Sequence, residues 1–276
     1  MNVRSKDKIA RFAFLLAAMV TILILVLIIF YVLFNGLRVV TFEFLTSPIK
    51  EMGKEGGIFP TIISSIYLAL LSIIIATPLA VGTAVFLTEY TRENVATKII
   101  RFGANCLAGI PSIIFGLFGF VFFVIYLRFG WSILSGSLTL ACMILPTIIR
   151  TSEEAIKSVS YTYKEVTYAL GGTKLQGIYK IVLPKALPGI LTGIILGMGR
   201  AIEETAVLIF TAGLSIHIPT SVFSSGRSMA VHFYTLAREG ISIEKAFGTA
   251  AVLVISILII NSISYFIMYR FMRKYT

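Results

Sequence analysis

Six apolar runs, each about 20 residues or longer, follow one another along the chain. A helix of that length crosses the hydrocarbon core of a bilayer, where every backbone polar group must be satisfied within the protein. Charged residues make up only 13% of the 276 residues and lie mostly in short intervals between these runs. The sequence therefore predicts an all-α polytopic membrane protein with six transmembrane helices. The predicted spans are 12–34, 58–87, 99–127, 131–149, 187–213 and 246–269.

The distribution of Lys and Arg predicts which loops face the cytosol. Sixteen of the 24 basic residues lie at the two termini and in the intervals after spans two and four, seven lie in the other three loops, and Arg200 lies within span five. Basic loops stay on the cytoplasmic side. We therefore expect cytoplasmic termini and a cytoplasmic polar interval at 150–188. The net charge of +11 follows from these loops, which disfavours nucleic acid as a partner.

The polar interval carries signals for two short helices. A cap at Thr151 would begin the first helix, and Gly171 would end it, because a glycine accepts the left-handed conformation that often closes a helix. Thr173 and Gln176 form a Thr-x-x-Gln capping box that would open the second helix. Pro184 would end that helix, since proline removes a backbone donor. These signals predict two helices that meet at a glycine corner.

The same interval also matches a longer spacing. Gly171 follows Glu165 by six positions, and an I-x-L-P tetrapeptide begins after nine further residues. The spacing resembles the EAA loop of ABC importer permeases, E-A-A-x3-G-x9-I-x-L-P, although Val166 and Thr167 replace its two alanines. The resemblance implies docking to a separate ATPase subunit, whereas an ordinary cytoplasmic loop is the alternative. The residues it assigns to ATPase coupling are Glu165, Ala169, Gly171, Gly172, Ile181, Leu183 and Pro184.

The third span contains Pro111 in a glycine-rich run that includes Gly116 and Gly119. The proline removes a backbone donor within the membrane, and the glycines permit close approach of neighbouring helices. The run therefore indicates either a kinked packing helix or a helix that lines a solute path. In the fifth span, Gly189, Gly193 and Gly197 recur every four residues and predict a tightly packed helix face.

Three ionisable residues follow that glycine stripe. At 100° per residue, Arg200, Glu203 and Glu204 lie on the same helix face as the glycines, and Arg200 is predicted near the middle of the membrane. Ionisable groups at that depth face a cavity or a partner. We predict a substrate path formed by these three residues, in which Arg200 can pair with Glu203 or Glu204. A structural ion cluster that locks the bundle is the alternative.

Three segments, 56–60, 111–119 and 199–206, resemble the permeases of the bacterial phosphate-specific (Pst) ABC importer, and the A-type (PstA-type) subunit more than the C-type. Arg200 and Glu204 match the Arg and Glu of the family's R-A-x-G-E-T segment, while Glu203 stands at its glycine position. The resemblance implies a type I ABC importer permease fold, with a first helix and loop at 1–55 and a permease core at 56–276. The implied location is the bacterial inner membrane. The implied partners are a second permease (PstC-type), two ATPases (PstB-type), an extracytoplasmic phosphate-binding protein (PstS-type) and membrane lipid.

The chain has no G-x-x-x-x-G-K-[ST] sequence, so we expect a transport subunit that binds no cofactor and relies on a partner ATPase for ATP. His217 and His232 have no metal-ligand spacing and are interpreted as loop hydrogen-bonding residues, so no metal site is predicted. Two alternatives remain: a permease for another oxyanion, such as molybdate or sulfate, and a proton-coupled secondary transporter. An intramembrane enzyme is disfavoured, because no nucleophile with a base is recognisable at membrane depth.

Overall fold

A computed structural model describes residues 3–91 and 94–275, which are mostly helical. Five helices in this part of the chain are long and apolar enough to cross a membrane, and one sharply bent pair gives a sixth candidate span. The six predicted spans therefore all have counterparts. Arg92, counted above among the cytoplasmic basic residues, lies outside the described residues. The helices are α1 (Val3–Gly36), α2 (Phe42–Thr46), α3 (Phe59–Val85), α4 (Val95–Ala108), α5 (Ser112–Gly119), α6 (Ile133–Lys157), α7 (Thr162–Ala169), α8 (Lys174–Gly177), α9 (Leu183–Glu203), α10 (Ala206–Thr211), α11 (Met229–Arg238) and α12 (Ile243–Tyr275).

Three of these helices are extended by wide turns of the π type. The turns are Phe86–Tyr90 after α3, Phe120–Tyr126 after α5 and Ile178–Val182 between α8 and α9. Such turns widen the helix by one residue and are frequent at functional sites. They make α3 and α8–α9 longer, continuous rods of 32 and 30 residues.

The third predicted span is two helices rather than one kinked helix. The segments Thr97–Ala108 and Ser112–Tyr126 are bent by 102° relative to each other. Pro111 adopts an extended backbone with ψ of 139° and begins the second helix, since its ring cannot continue the first. The break lies where the sequence predicts it, but the chain turns through a right angle there instead of kinking.

The centre of the bundle is formed by α3, α6 and α9. Leu140, Ile144 and Ile148 of α6 are fully buried, as are Ala76 and Ala80 of α3. Small residues on α3 let the larger side chains of α6 pack closely, which is the main stabilising interaction between helices surrounded by lipid. The N-terminal helix α1 is exposed from Ala10 to Tyr31 and contacts α12, against which Gly36 at its end is buried.

The glycine stripe of α9 packs against α6, as predicted. A Cβ atom built at Gly189 would overlap Ala155, and one at Gly193 would overlap Thr151. At Gly197 it would lie 3.2 Å from Cδ1 of Ile148. Larger side chains at these positions would therefore force the two helices apart.

The beginning of the polar interval differs from the prediction. Residues 151–157 complete α6, and the next helix begins only at Thr162. The apolar helical periodicity of α6 continues through buried Ile156. Glu153 forms ion pairs with Arg101, at 2.8 Å, and with Lys157, at 2.7 Å. The predicted cap at Thr151 was therefore wrong, because these tertiary contacts extend the preceding helix.

The end of the interval also differs. The second helix does not stop before Pro184 but runs from Lys174 to Glu203 as one rod. The wide turn Ile178–Val182 ends just before α9, and Pro184 is the second residue of α9, where the helix tolerates the missing donor. The predicted span 187–213 is in turn divided, since α9 ends at Glu203 and α10 begins at Ala206.

The loops at the opposite end of the bundle are well packed. A short antiparallel hairpin pairs Ile49–Lys50 with Glu55–Gly56. Gly53 at its tip, with φ of 110°, lies against His232 of α11. The predicted loop 214–245 therefore contains a helix and is covered in part by this hairpin.

Candidate functional site

The docking knob, defined as α7, the corner 170–173 and α8, forms the candidate coupling surface. Gly171 has φ of 76°, so the predicted left-handed glycine corner is confirmed. The Thr173 side chain accepts from the Gln176 backbone N–H at 3.3 Å, and the Gln176 side chain accepts from the Thr173 N–H at 2.9 Å. The predicted capping box is therefore present.

The two residues that replace the alanines of the EAA loop have different environments. Thr167 is 9% exposed and packs inside the knob against Gly172, where a built Cβ would lie 2.8 Å from the Thr167 methyl carbon. Its carbonyl also accepts from the Gly172 N–H at 2.9 Å. Val166, by contrast, is 51% exposed. Thr167 therefore stabilises the corner, and only Val166 is available to a partner.

The remaining coupling residues divide into an exposed and an anchoring group. Glu165, Ala169 and Gly171 are exposed, and Gly172 is half-buried. Ile181, Leu183 and Pro184 are half-buried where α8 continues into α9, and Leu183 packs against the buried cluster below the knob. The I-x-L-P part of the motif thus anchors the knob to the bundle. The apolar side chains that the knob exposes are Tyr163, Val166, Tyr168, Leu170 and Leu175.

Two contacts tie the knob to the wide turn at the end of α3. Glu89 Oε1 lies 2.6 Å from Lys164 Nζ, and these side chains are only 6% and 17% exposed, respectively. The Lys174 ammonium lies 4.8 Å from the centre of the Tyr90 ring. Neither contact was predicted from the sequence, because the partners are distant in the chain and no local pattern links them.

A polar cleft lies between α4 and α6. It has a volume of about 420 Å³ and is lined by Asn105, Thr147, Arg150 and the Arg101–Glu153 pair, among others. The pair joins α4 to α6 beside the cleft. This ion pair holds α4 against the bundle, while Val95 and Phe102 on the other side of α4 are exposed.

The three predicted substrate-path residues cluster where α9 ends. Arg200 is half-buried, Glu203 is the last residue of the helix and exposed, and Glu204 is in extended backbone with ψ of 129°. Among the described residues, no ion pair within 4.0 Å joins Arg200 to either glutamate. Instead, Glu204 Oε1 accepts from the Val207 N–H at 3.3 Å. The expected pairing was wrong, because the chain leaves helical geometry at Glu204 and Glu204 bonds the next helix.

The predicted common face of the glycines and the charges is also corrected. The glycine stripe is covered by α6, whereas Glu203 is exposed and Glu204 is no longer helical. The two carboxylates therefore lie at a helix break and outside the α6–α9 contact, three and four residues after Arg200. A half-buried cation with two carboxylates beside an interrupted helix is suited to binding a charged solute.

The predicted packing glycines of α5 lie against α10, the helix that follows this break. A Cβ at Gly116 would lie 3.0 Å from the Ala206 carbonyl oxygen, and one at Gly119 would overlap Thr139 and lie 2.8 Å from the Thr211 methyl carbon. These glycines bring α5 directly against α10. The break at Pro111, which begins α5, and the break after Glu203, which precedes α10, are thus joined by one tight helix contact.

The polar segment 224–228 is half-buried at Ser224 and Ser225 and buried from Gly226 onward. Arg227 is 1% exposed, and its Nε donates to the Leu214 carbonyl at 3.1 Å. Its Nη1 lies 3.4 Å from Nδ1 of His232, which is also buried. Burial, together with the nearby Arg227 and Lys245 charges, lowers the pKa of His232 to about 3, so the ring is neutral. His217 is exposed.

Comparison with known proteins identifies the family of the chain. The family model for "Binding-protein-dependent transport system inner membrane component" matches residues 77–276. A Bacillus subtilis (strain 168) protein described as "Probable ABC transporter permease protein YqgI" is 35% identical over 95% of this chain and 94% of its own length. The "Phosphate transport system permease protein PstA" of Mycobacterium leprae (strain TN) is 32% identical over 94% of this chain and 87% of its own length.

Solved structures agree on the fold. A bacterial ABC transporter involved in the import of alginate has a chain with a TM-score of 0.68 at 17% identity, covering 97% of this chain and 99% of that one. A chain of the MetNI methionine ABC transporter gives 0.65 at 16% identity, covering 78% and 95%. The fold is that of a type I ABC importer permease. The chain therefore belongs to the family of inner-membrane components of binding-protein-dependent transport systems, as a permease of the phosphate-specific (PstA-like) branch.

Proposed function

We propose that this chain forms half of the phosphate path of an ATP-driven importer. Relatives named as PstA phosphate permeases support the solute. The observation that carries the proposal is Arg200, a half-buried arginine at a membrane helix break that forms no ion pair with the adjacent glutamates in the described part of the chain. Its planar fork of donors matches two oxygens of an oxyanion and stays charged when desolvated.

The carboxylates beside Arg200 have separate roles in this proposal. Glu204 holds the first turn of α10 through the Val207 N–H and so fixes the geometry of the break. Glu203 is exposed and stands at the edge of the path, where its charge repels an anion and prevents it from remaining bound. A site that binds its solute too tightly cannot release it, so a carboxylate beside the arginine favours turnover.

The proposal includes the arrangement of the complex. The docking knob seats on a separate cytoplasmic ATPase (PstB-type), which uses ATP, and this chain itself binds no cofactor. A second permease (PstC-type) supplies the other half of the path, and an extracytoplasmic binding protein (PstS-type) delivers phosphate. Both termini are cytoplasmic. Family membership favours this ATP-driven arrangement over proton-coupled transport.

A substitution series at Arg200 tests the solute contact. In a strain that depends on this chain for phosphate uptake, Arg200→Lys and Arg200→Gln should both reduce uptake of labelled phosphate at least tenfold, because neither offers the bidentate fork. Glu203→Gln should slow uptake less than either Arg200 variant, because it leaves the arginine contact in place and removes only the repulsion that favours release. Membrane levels of the chain and co-purification of the ATPase should be unchanged in all three variants.

Two outcomes would contradict the proposal. Near-normal uptake by Arg200→Lys would mean that only the charge is needed. Wild-type uptake by the double variant Arg200→Gln with Glu204→Gln, at matched protein levels, would mean that Arg200 serves to balance Glu204. Unlabelled molybdate and sulfate added in excess test the other oxyanions, since the true solute should compete most strongly.

A further inference from the structure

The inner end of α3 contacts both helices of the docking knob, one on each side of the glycine corner. Glu89 contacts Lys164 of α7, and the neighbouring residue Tyr90 contacts Lys174 at the start of α8. Two consecutive residues of the wide turn that extends α3 therefore contact the two helices of the knob. A displacement of α7 or α8 has to move this turn or break one of the two contacts.

The turn that carries Glu89 and Tyr90 is itself unusual. It is a wide helical turn, Phe86–Tyr90, in which Thr88 Oγ1 donates to the Ala84 carbonyl at 2.8 Å and Thr91 Oγ1 donates to the Phe86 carbonyl at 3.0 Å. Side chains thus satisfy carbonyls that the widened turn leaves available. The arrangement fixes the direction in which Glu89 points while Leu87 remains buried in the bundle.

The Glu89–Lys164 pair differs from the other charge pairs of this surface. Its side chains are 6% and 17% exposed, whereas those of the Arg150–Glu154 pair are 73% and 67% exposed. An exposed pair contributes little to a preferred geometry, while a buried pair strongly disfavours the removal of either partner. The Glu89–Lys164 pair therefore holds α7 and the end of α3 in a fixed relative position. The exposed Arg150–Glu154 pair provides a control.

Helix α3 runs from the Glu89–Lys164 pair to the opposite end of the bundle. Ser137 of α6 donates to the Leu68 carbonyl of α3 at 3.4 Å, and nearer the start of α3 the Ser65 hydroxyl accepts from the Met229 N–H at 2.8 Å. One continuous helix thus links the docking knob with the buried start of α11. Motion of a rigid element that contacts both ends is a physical route for coupling them.

We propose that Glu89 and Tyr90 form a clamp that transmits movement of the ATPase-docked knob into α3, with Glu89 as a positioning residue for coupling. The proposal rests on the proposed function, because the knob must be the ATPase contact. The clamp acts after docking. Its loss should therefore uncouple transport from ATP hydrolysis without releasing the ATPase.

The test uses the complete complex in proteoliposomes, with the extracytoplasmic binding protein and phosphate supplied. Glu89→Gln should leave ATPase co-purification unchanged and reduce the phosphate-stimulated part of ATP hydrolysis at least fivefold. The number of phosphates imported per ATP hydrolysed should fall as well. The charge-swapped variant, Glu89→Lys with Lys164→Glu, should recover at least half of that ratio, and Tyr90→Phe, which keeps the aromatic ring, should be silent. Glu154→Gln is the matched control and should behave as wild type.

Two results with Glu89→Gln would overturn the clamp. Loss of the ATPase from this variant, also seen in the swapped variant, would mean that the pair only shapes the docking surface. Normal phosphate stimulation of ATP hydrolysis in Glu89→Gln would mean that the pair transmits nothing. Failure of the proposed function appears instead in the wild-type complex, as hydrolysis that phosphate and the binding protein do not stimulate.

Discussion

Replacing Gly193 by alanine should open the central contact of the bundle. A Cβ at this position would overlap Thr151 Oγ1 and lie 2.9 Å from Thr151 Cβ, whereas ordinary contacts begin near 3.4 Å. Helices α6 and α9 would therefore have to separate by about 0.5 Å or more, or Thr151 would have to leave its rotamer. Overpacking of this kind costs about 1–3 kcal/mol.

Gly199 of the same helix provides the matched control. A Cβ built there meets nothing within 4 Å. Both substitutions gain about 1 kcal/mol of helix propensity, so their difference isolates the steric conflict. We expect Gly193→Ala to have a free energy of unfolding about 1–3 kcal/mol lower than that of Gly199→Ala.

The assay is equilibrium unfolding of the purified chain in mixed micelles with increasing denaturing detergent. Circular dichroism and the fluorescence of Trp131, the single tryptophan, provide two probes. Adding Thr151→Ala to Gly193→Ala removes the overlapping hydroxyl and should restore part of the loss. Equal stability of Gly193→Ala and Gly199→Ala would refute the assignment of the glycine stripe to close packing.

Three further predictions test other parts of the structure. Gly171→Val should insert normally but lose ATPase co-purification, because φ of 76° strains a β-branched residue by about 1–3 kcal/mol, whereas Gly171→Asn should retain most of it. In a cysteine-free background, Phe223→Cys should react with an impermeant thiol reagent in intact cells, and Lys174→Cys only after permeabilisation, as the positive-inside distribution requires; labelling of both in intact cells would exclude this topology. Because the folded-state pKa of His232 lies near 3, below its ordinary value of 6.5, the unfolded chain binds the proton first, and stability should fall by about 1.4 kcal/mol per pH unit as the pH decreases from about 6.5 toward 3. His232→Gln should flatten that part of the pH profile measured by thermal unfolding, and an unchanged slope would contradict the burial argument.

Local signals predicted the elements that depend on neighbours in the chain. The Thr173–Gln176 box and the left-handed Gly171 were predicted because capping and positive φ are properties of a few consecutive residues. The six apolar runs were recognisable for the same reason, since each satisfies its own backbone. The spacing of the glycines on α9 also predicted a packing face.

Errors arose where distant contacts decide the outcome. Thr151 caps no helix, because Arg101 and Lys157 hold Glu153 in an extension of α6. The break after Glu203 has no proline or glycine at its position, so the sequence offers no local signal for it, and extrapolating helical angles to Glu204 gave the wrong face. The Glu89–Lys164 pair joins residues from separate helices and was invisible for the same reason. The division into a first helix with its loop and a permease core stays a prediction.

Solute-dependent transport by the purified complex tests the central claim most directly. Proteoliposomes that contain this chain with its partner permease and ATPase should accumulate labelled phosphate only when ATP and the binding protein are present. Excess molybdate or sulfate should not compete, and Arg200→Gln should abolish accumulation while the ATPase remains attached. Accumulation of a different oxyanion in preference to phosphate, or phosphate uptake without ATP, would contradict the account.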